Sequence, residues 1–453
     1  MLVITELLSP SEKNAEELIH TFSNILNYEP ENSLFFDIET TGLSAANSMV
    51  FLIGAIYFDR QNWQLKQLLA QNAEDERCIL EEFFDLARNY HTLIHFNGTT
   101  FDLPYIKERA CHHGLSHSLN EMNSLDLYQK FRPLKKLLNL PRMNQQTLEQ
   151  FLEWPRQDQL TGKHMISLFK KYAASGEKLI ADLLLLHNHD DLVGMTQLLR
   201  FAAYQMLFGG KVSQVQGKFV SHPMRRENSS QRMADPQNKG QVQCFPDQTL
   251  LQVHDSLVNP NRNVFCIQFF LDYPLPVPLF FNWNENFITP APEELAETYA
   301  NTPIAPFLEI LAENLENKSV HPTATFKTSD LQTDYRLSII GNQGILEVSC
   351  FQGELKYFFP DYRNYFYLPA EDQAIHKSVG SYVDPAYREN AKPVNCYIKK
   401  QGYFLPQPTA IFKPVFKTCH NSEKFYFEYT EEFCEKPESL LTYLKTLLPF
   451  FLC

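Results

Sequence analysis

The sequence lacks the features that would indicate a secreted, membrane-spanning or disulfide-stabilised protein. Its nine cysteines are scattered singly, without a Cys-x-x-Cys pair, which argues against a disulfide framework or a structural zinc site. No apolar run is long enough to cross a bilayer. The first twenty residues have neither the basic region nor the apolar core of a signal peptide. We therefore expect a cytoplasmic protein without a membrane partner.

Positive charge is also scarce. The 453 residues carry a net charge of −13, and residues 1–210 contribute 18 basic and 26 acidic groups of the total. A negative surface disfavours polyanionic partners, which need a positive field. Residues 377–417 are an exception, with seven Lys or Arg and two acids. The sequence also has no internal repeat and no glycine-rich phosphate loop.

A chain of 453 residues is too long for one core and predicts two or three domains. Residues 1–209 read as an α/β domain, because three successive strands are followed by alternating helices and strands. Residues 210–245 are polar with weak periodicity, which predicts a linker. Residues 246–453 are aromatic, β-rich and interrupted by prolines, which predicts a separate α+β domain of unknown role. Within the first domain we expect helices at about 11–27, 75–90, 101–114 and 178–208, and strands at 34–38, 49–59, 63–70 and 92–98.

The stretch LFFDIETTGL, residues 34–43, places two acids at the end of an apolar strand. Side chains at i and i+2 of a strand point the same way, so Asp37 and Glu39 project side by side. Two adjacent carboxylates suit a hard cation such as Mg²⁺ or Mn²⁺. The alternative is a strand end that meets solvent with two hydrated acids.

Two further segments carry acids in unusual places. Asp102, in HFNGTTFDLPYI, begins a helix, where an acid can also simply complement the helix dipole. In LLLLHNHDDLVGM, polar residues interrupt an apolar helix. His187 and Asp191 are four apart and share the inward face, whereas Asp190 points more sideways. They could bind a metal or satisfy each other through a His–Asp hydrogen bond.

The order and spacing of these acids resemble the ribonuclease H-like DEDD 3′–5′ exonuclease superfamily. DIETTGL looks like its first motif, FNGTTFDLPYI its second and HNHDDL its third, and the YprB-like exonuclease domain is the most similar variant. The resemblance covers residues 30–205. It implies a ribonuclease H-like mixed sheet flanked by helices, two Mg²⁺ or Mn²⁺ ions, and 3′–5′ hydrolysis of single-stranded DNA or RNA.

The resemblance also implies roles for individual residues. Asp37, Glu39 and Asp191 would hold the first ion, Asp102 would act on the second, and His187 would orient or deprotonate the attacking water. The third motif usually carries a Tyr four residues, or a His five residues, before its Asp; here His187 stands at minus four. The residues that match positions contacting the terminal nucleotide are Thr40, Thr41, Gly42, Leu43, Asn97 and Phe101.

Basic and aromatic residues alternate in the stretch from 377 to 417. This combination suits a single-strand groove, in which cations bind phosphates and rings stack on bases. We expect Lys399 and Lys400 to bind the substrate there, although a plain β-rich surface over core aromatics fits as well. Two other functions also stay open: a catalytically silent module that binds nucleic acid or protein, and endonucleolytic cutting by the same site.

Overall fold

The computed structural model describes residues 1–8, 13–60, 62–158, 160, 162–208, 212–220, 263–282 and 335–448. The chain forms two compact units. One comprises Met1–Met206 with Leu275–Val277, and the other comprises Leu207–Pro274 with Pro278–Cys453.

The first unit is built on a six-stranded mixed sheet of order β1-β4-β3-β2-β5-β6. The strands are β1 (Leu2–Leu7), β2 (Ser33–Thr40), β3 (Val50–Asp59), β4 (Asn62–Leu69), β5 (Thr92–His95) and β6 (Asn123–Asp126). The first four along the chain pair antiparallel, whereas β2, β5 and β6 run parallel. Because β2 is central, its residues are covered on both faces, and Leu34, Phe35 and Phe36 are fully buried.

Nine helices of the first unit lie within the described residues: α1 (Lys13–Leu26), α2 (Glu76–Ala87), α3 (Asp102–His112), α4 (Leu127–Phe131), α5 (Leu134–Leu137), α6 (Gln145–Phe151), α7 (Gly162–Ser175), α8 (Lys178–Leu198) and α9 (Ala202–Phe208). The core forms where apolar helix faces meet the sheet, for example where Phe51 of β3 stacks on Phe169 of α7 with ring centroids 4.3 Å apart. No helix in the described part of the chain has the length and apolarity needed to cross a membrane.

The expected mixed sheet flanked by helices is confirmed. The expectation missed two short edge strands, β1 and β6. Side chains of β1 are mostly exposed, and β6 has four residues in a polar stretch, so neither shows clear periodicity. The helix expected at 178–208 is also not continuous, because α8 ends at Leu198 and α9 begins at Ala202.

The second unit is β-rich, as expected. Its strands are β7 (Val212–Val220), β8 (Val264–Leu271), β9 (Leu279–Asn282), β10 (Tyr335–Ile340), β11 (Gln343–Ser349), β12 (Phe351–Phe358), β13 (Tyr365–Leu368), β14 (Gln373–His376), β15 (Glu389–Asn390), β16 (Tyr397–Gln407), β17 (Phe416–Lys417) and β18 (Phe425–Glu428). They form a five-stranded sheet β7-β8-β11-β10-β9, a small closed barrel β12-β16-β18-β17 and a three-stranded sheet β14-β13-β15.

Three helices of this unit lie within the described residues: α10 (Lys377–Gly380), α11 (Glu431–Glu435) and α12 (Pro437–Leu447). Residues 212–220 of the expected linker form strand β7, which pairs with β8. The rest of that segment, 221–245, lies outside the described residues.

Candidate active site

The first two acids lie at the end of β2, on the strand that is central to the mixed sheet. Asp37 pairs in register with Gly54 of β3, and Glu39 pairs with Leu52. A register shift between Glu39 and Thr40 ends the regular pairing just after the second acid. Burial and the nearby charges of Asp191 and other acids raise the pKa of both carboxyl groups well above the usual range. These two side chains therefore form part of a crowded anionic centre.

Asn188 of α8 orients Asp37, although the sequence analysis gave it no role. Its Nδ2 donates to Asp37 Oδ2 at 3.0 Å, and its Oδ1 accepts from Gln67 Nε2 at 2.9 Å. Asn188 is fully buried against β3, where a Cβ atom on Gly54 would lie 2.0 Å from Asn188 Oδ1. A glycine inside a buried strand can mark such a close approach, and this was the available signal.

Asp102 is the first residue of α3 and is buried. The loop before it is held by Asp126, whose carboxylate accepts the backbone N–H of Asn97 at 2.9 Å and of Thr99 at 3.2 Å. Burial raises the pKa of the Asp102 carboxyl group to about 7, and the charges of Asp126 and Asp191 add to the increase. The mutual effects on pKa show that Asp102 faces the same centre as the acids of β2.

His187 and Asp191 reach this centre from α8. His187 Nε2 lies 3.4 Å from Glu39 Oε1 and 3.5 Å from Asp191 Oδ2. Among the described residues, Glu39, His187 and Asp191 are the one group of three or more His, Cys, Asp or Glu that could hold a metal ion, with ligand atoms all within 4.8 Å of one another. The structure thus brings together the five expected residues Asp37, Glu39, Asp102, His187 and Asp191.

A cation that the sequence analysis missed lies beside these acids. Arg156 follows α6 and donates through Nη1 to Asp191 Oδ1 at 2.7 Å and to Glu149 Oε2 at 2.8 Å. Its Nη2 lies 3.5 Å from Asp158 Oδ2. No local pattern marks Arg156, because the fold alone brings this loop to α8.

Asp190 was expected to point sideways, and the structure shows it buried. Its Oδ2 accepts the backbone N–H of Gln157 at 2.7 Å and of Asp158 at 2.8 Å. Burial raises the pKa of Asp190, but the hydrogen bond from His189 and these two backbone bonds favour the charged form and lower it overall. Asp190 therefore anchors the loop that carries Arg156 and Asp158.

The residues expected to contact a terminal nucleotide lie on two loops of the first unit. The Thr40 hydroxyl donates to Gly42 O at 2.9 Å, and Thr41 Oγ1 accepts from Met49 N at 3.0 Å, so both hydroxyl groups shape their own loop. Leu43 is 90% exposed. On the second loop, Asn97 Oδ1 accepts from Thr100, and the Phe101 ring lies 5.4 Å from that of Tyr105.

Lys399 and Lys400 lie on β16 of the second unit. Lys399 Nζ is 2.7 Å from Asp372 Oδ2, and Lys400 Nζ is 2.6 Å from Glu428 Oε2. Each ammonium group therefore already has a carboxylate partner within its own unit.

The comparisons with known proteins include a family model that matches most of the first unit. The family model RNase_H_2, described as the RNase_H superfamily, matches residues 34–203. The Aedes aegypti Nibbler EXO domain is 13% identical with a TM-score of 0.26, over 42% of this chain and 86% of that chain. The family B DNA polymerase of the archaeon Pyrobaculum calidifontis is 12% identical with a TM-score of 0.29, over 89% of this chain and 60% of that chain. Among curated proteins, none matches the sequence.

At these TM-scores neither solved structure adds to the assignment, which depends on the family match and the sheet. Residues 34–203 match the model of the RNase_H superfamily, and the mixed sheet flanked by helices in this region is the fold of that superfamily. This match supports a nuclease activity in general.

Proposed function

We propose that this domain is a metal-dependent 3′–5′ exonuclease that hydrolyses phosphodiester bonds at single-stranded ends of DNA or RNA. The supporting observation is the convergence of four acids and one imidazole, drawn from β2, α3 and α8, inside an RNase H domain.

The residues present fit two divalent cations. Burial and mutual repulsion raise the pKa values of Asp37, Glu39 and Asp102, so the metal-free site is an unfavourable place for several charged carboxylates. Oxygen-rich donor sets of this kind suit Mg²⁺ or Mn²⁺. Bound divalent ions would activate a water molecule and stabilise the leaving oxygen of a phosphodiester.

The side chains of this chain have separate tasks in the proposal. Asp37, Glu39 and Asp191 hold one cation and Asp102 acts on the second. Asn188 and Arg156 fix the orientation of two of these carboxylates. His187 presents Nε2 between Glu39 and Asp191, where it can either take a proton from water, as the family resemblance implies, or ligate a cation.

The residues of the two loops described above are assigned to substrate binding. Leu43 and Phe101, with Thr40, Thr41, Gly42 and Asn97, are proposed to contact the terminal nucleotide. The proposed substrate is a single strand, whose unstacked bases can meet such apolar side chains.

The test is digestion of end-labelled single-stranded DNA and RNA with Mg²⁺ or Mn²⁺. Asp37→Asn removes one charge at constant size, so we expect it to abolish metal-dependent cleavage and leave the fold intact. Asp182→Asn, an exposed acid on α8, is the matched control and should cleave at the wild-type rate. Wild-type rates in Asp37→Asn would show that the assigned site is wrong.

Two substrates separate the remaining alternatives. A blocked 3′ end should stop an exonuclease but not an endonuclease. A wild-type protein that binds the strand and cleaves neither DNA nor RNA with either metal would instead be a silent binding module.

A further inference from the structure

The imidazole of His187 has carboxylate neighbours at both ring nitrogens. Its side chain is buried, and Nδ1 is hydrogen-bonded to Asp158 Oδ2. The other ring nitrogen, Nε2, faces Glu39 Oε1 and Asp191 Oδ2. The two nitrogens therefore have different environments. Nδ1 is bonded to one carboxylate, whereas Nε2 faces the group of residues that could hold a metal ion.

Asp158 is itself fixed in position. Its backbone N–H donates to Asp190 Oδ2, and its Oδ1 accepts the N–H of Leu160 at 2.8 Å. Its Oδ2 is 3.5 Å from Arg156 Nη2. With Oδ1 occupied by the backbone N–H of Leu160, Oδ2 is directed to His187.

This arrangement fixes where the neutral imidazole carries its proton. The hydrogen bond to Asp158 places N–H on Nδ1 and leaves the lone pair on Nε2. Metal-ligating histidines almost always donate their second ring N–H to a carboxylate, a carbonyl group or water in this way. Two ligands of one ion with bonds of about 2.1 Å lie roughly 3 to 4 Å apart, and the Nε2 contacts to Glu39 and Asp191 fall in that range, at 3.4 and 3.5 Å.

We propose that His187 ligates the cation held by Glu39 and Asp191, with Asp158 as its positioning residue, and that this centre prefers Mn²⁺ or Co²⁺ to Mg²⁺. Imidazole nitrogen suits transition-metal ions, whereas Mg²⁺ takes oxygen ligands. The inference depends on the proposed function only for the presence of a divalent cation. A ligating His187 does not take the proton from the attacking water.

The test uses the full-length protein, stripped of metal and without nucleic acid. Pulsed electron paramagnetic resonance of added Mn²⁺ detects a nitrogen bonded to the ion. We expect a ¹⁴N coupling in the wild type that becomes a ¹⁵N coupling when histidine is ¹⁵N-labelled. His187→Gln should abolish it. His189→Gln is the control and should keep it, because the His189 ring lies beside Glu6 of β1 and Asp190 of α8.

Affinities measured by calorimetry give the second readout. We expect the wild type to bind Mn²⁺ at least tenfold more tightly than Mg²⁺. Asp158→Asn should weaken Mn²⁺ binding about 10- to 100-fold, as is typical when the partner of a ligating histidine is changed. His187→Gln should reduce Mn²⁺ affinity more than Mg²⁺ affinity.

Bound Mn²⁺ without a nitrogen coupling in the wild type would overturn the inference, as would a coupling that persists in His187→Gln. A wild type without Mn²⁺ binding would overturn both this inference and the proposed function. Cleavage with Mn²⁺ but no coupling would leave the nuclease proposal standing alone. A nitrogen coupling without cleavage would support His187 as a ligand and contradict the proposed nuclease function.

Discussion

Asp102 offers a direct test of the electrostatics of the metal-free site. It is buried at the start of α3, and burial with the charges of Asp126 and Asp191 raises its pKa to about 7. An unfolded chain gives an aspartate a pKa of about 3.9. Between these values the native protein binds a proton that the unfolded chain releases. The native state therefore loses stability as pH rises from about 4 to about 7.

The size of this loss follows from the shift. About three pH units, at 1.36 kcal/mol each, correspond to about 4 kcal/mol. Asp102→Asn keeps the size of the side chain but cannot ionise. Without metal, the Asp102→Asn variant should be as stable as the wild type near pH 4 and more stable by about 4 kcal/mol at pH 8. The neighbouring carboxyl groups titrate as a coupled set, so the comparison with the variant isolates the effect better than the wild-type curve alone.

The measurement has to report on the first unit, since two units need not unfold together. Hydrogen exchange of peptides that cover β2, followed in urea with EDTA at pH 4 to 8, meets that need. Asp182→Asn, which removes an exposed carboxylate from α8, is the control for the substitution itself. A stability difference for Asp102→Asn that stays constant from pH 4 to pH 8 would refute the reasoning, because it would mean that Asp102 ionises in the native site as easily as in the unfolded chain.

Three further outcomes are expected. Gly54→Ala should cost roughly 1–3 kcal/mol of unfolding free energy and weaken Mn²⁺ binding, since its Cβ would lie 2.0 Å from Oδ1 of the buried Asn188. Gly162→Ala, which has open space around the new methyl group, is the control in thermal unfolding. Arg156→Met should cost roughly 3–5 kcal/mol in urea unfolding because it leaves the buried carboxylates of Glu149 and Asp158 without their cation, and wild-type stability would contradict this. Lys399→Glu with Lys400→Glu should weaken binding of a long strand and lower its salt slope by about 0.7 per lost phosphate contact; unchanged affinity and slope would remove both lysines from the substrate surface.

Much of the first unit could be predicted because its signals are local. An apolar run that ends in Asp-x-Glu specifies both a buried strand and two carboxylates on one face, and Asp37 and Glu39 lie where that alternation places them. Similarly, the spacing of His187 and Asp191 requires only that residues 183–195 be helical, as they are.

The supporting residues had no comparable signal. Arg156 and Asp158 lie in a loop without periodicity, and their roles depend on the long-range contact of that loop with Asp190. Asn188 stood within a recognised polar interruption, but its contact with Asp37 requires the approach of α8 to Gly54. These relations belong to tertiary packing, and a pattern along one chain segment does not contain them.

The charge balance of the site connects stability to cation binding. Six carboxyl groups contribute to it, and among the described residues the one guanidinium paired within this set is that of Arg156. The six are Asp37, Glu39, Asp102, Glu149, Asp158 and Asp191. Burial and, after it, repulsion between the carboxylates raise the pKa values of Asp37, Glu39 and Asp102, so the protonated forms of these groups are favoured when no cation is bound. Divalent ions would replace those protons, so replacing Asp37, Glu39 or Asp102 by its amide should stabilise the metal-free domain at neutral pH and reduce the further stabilisation that Mn²⁺ provides. An acid whose amide variant changes neither quantity is not part of the cation site.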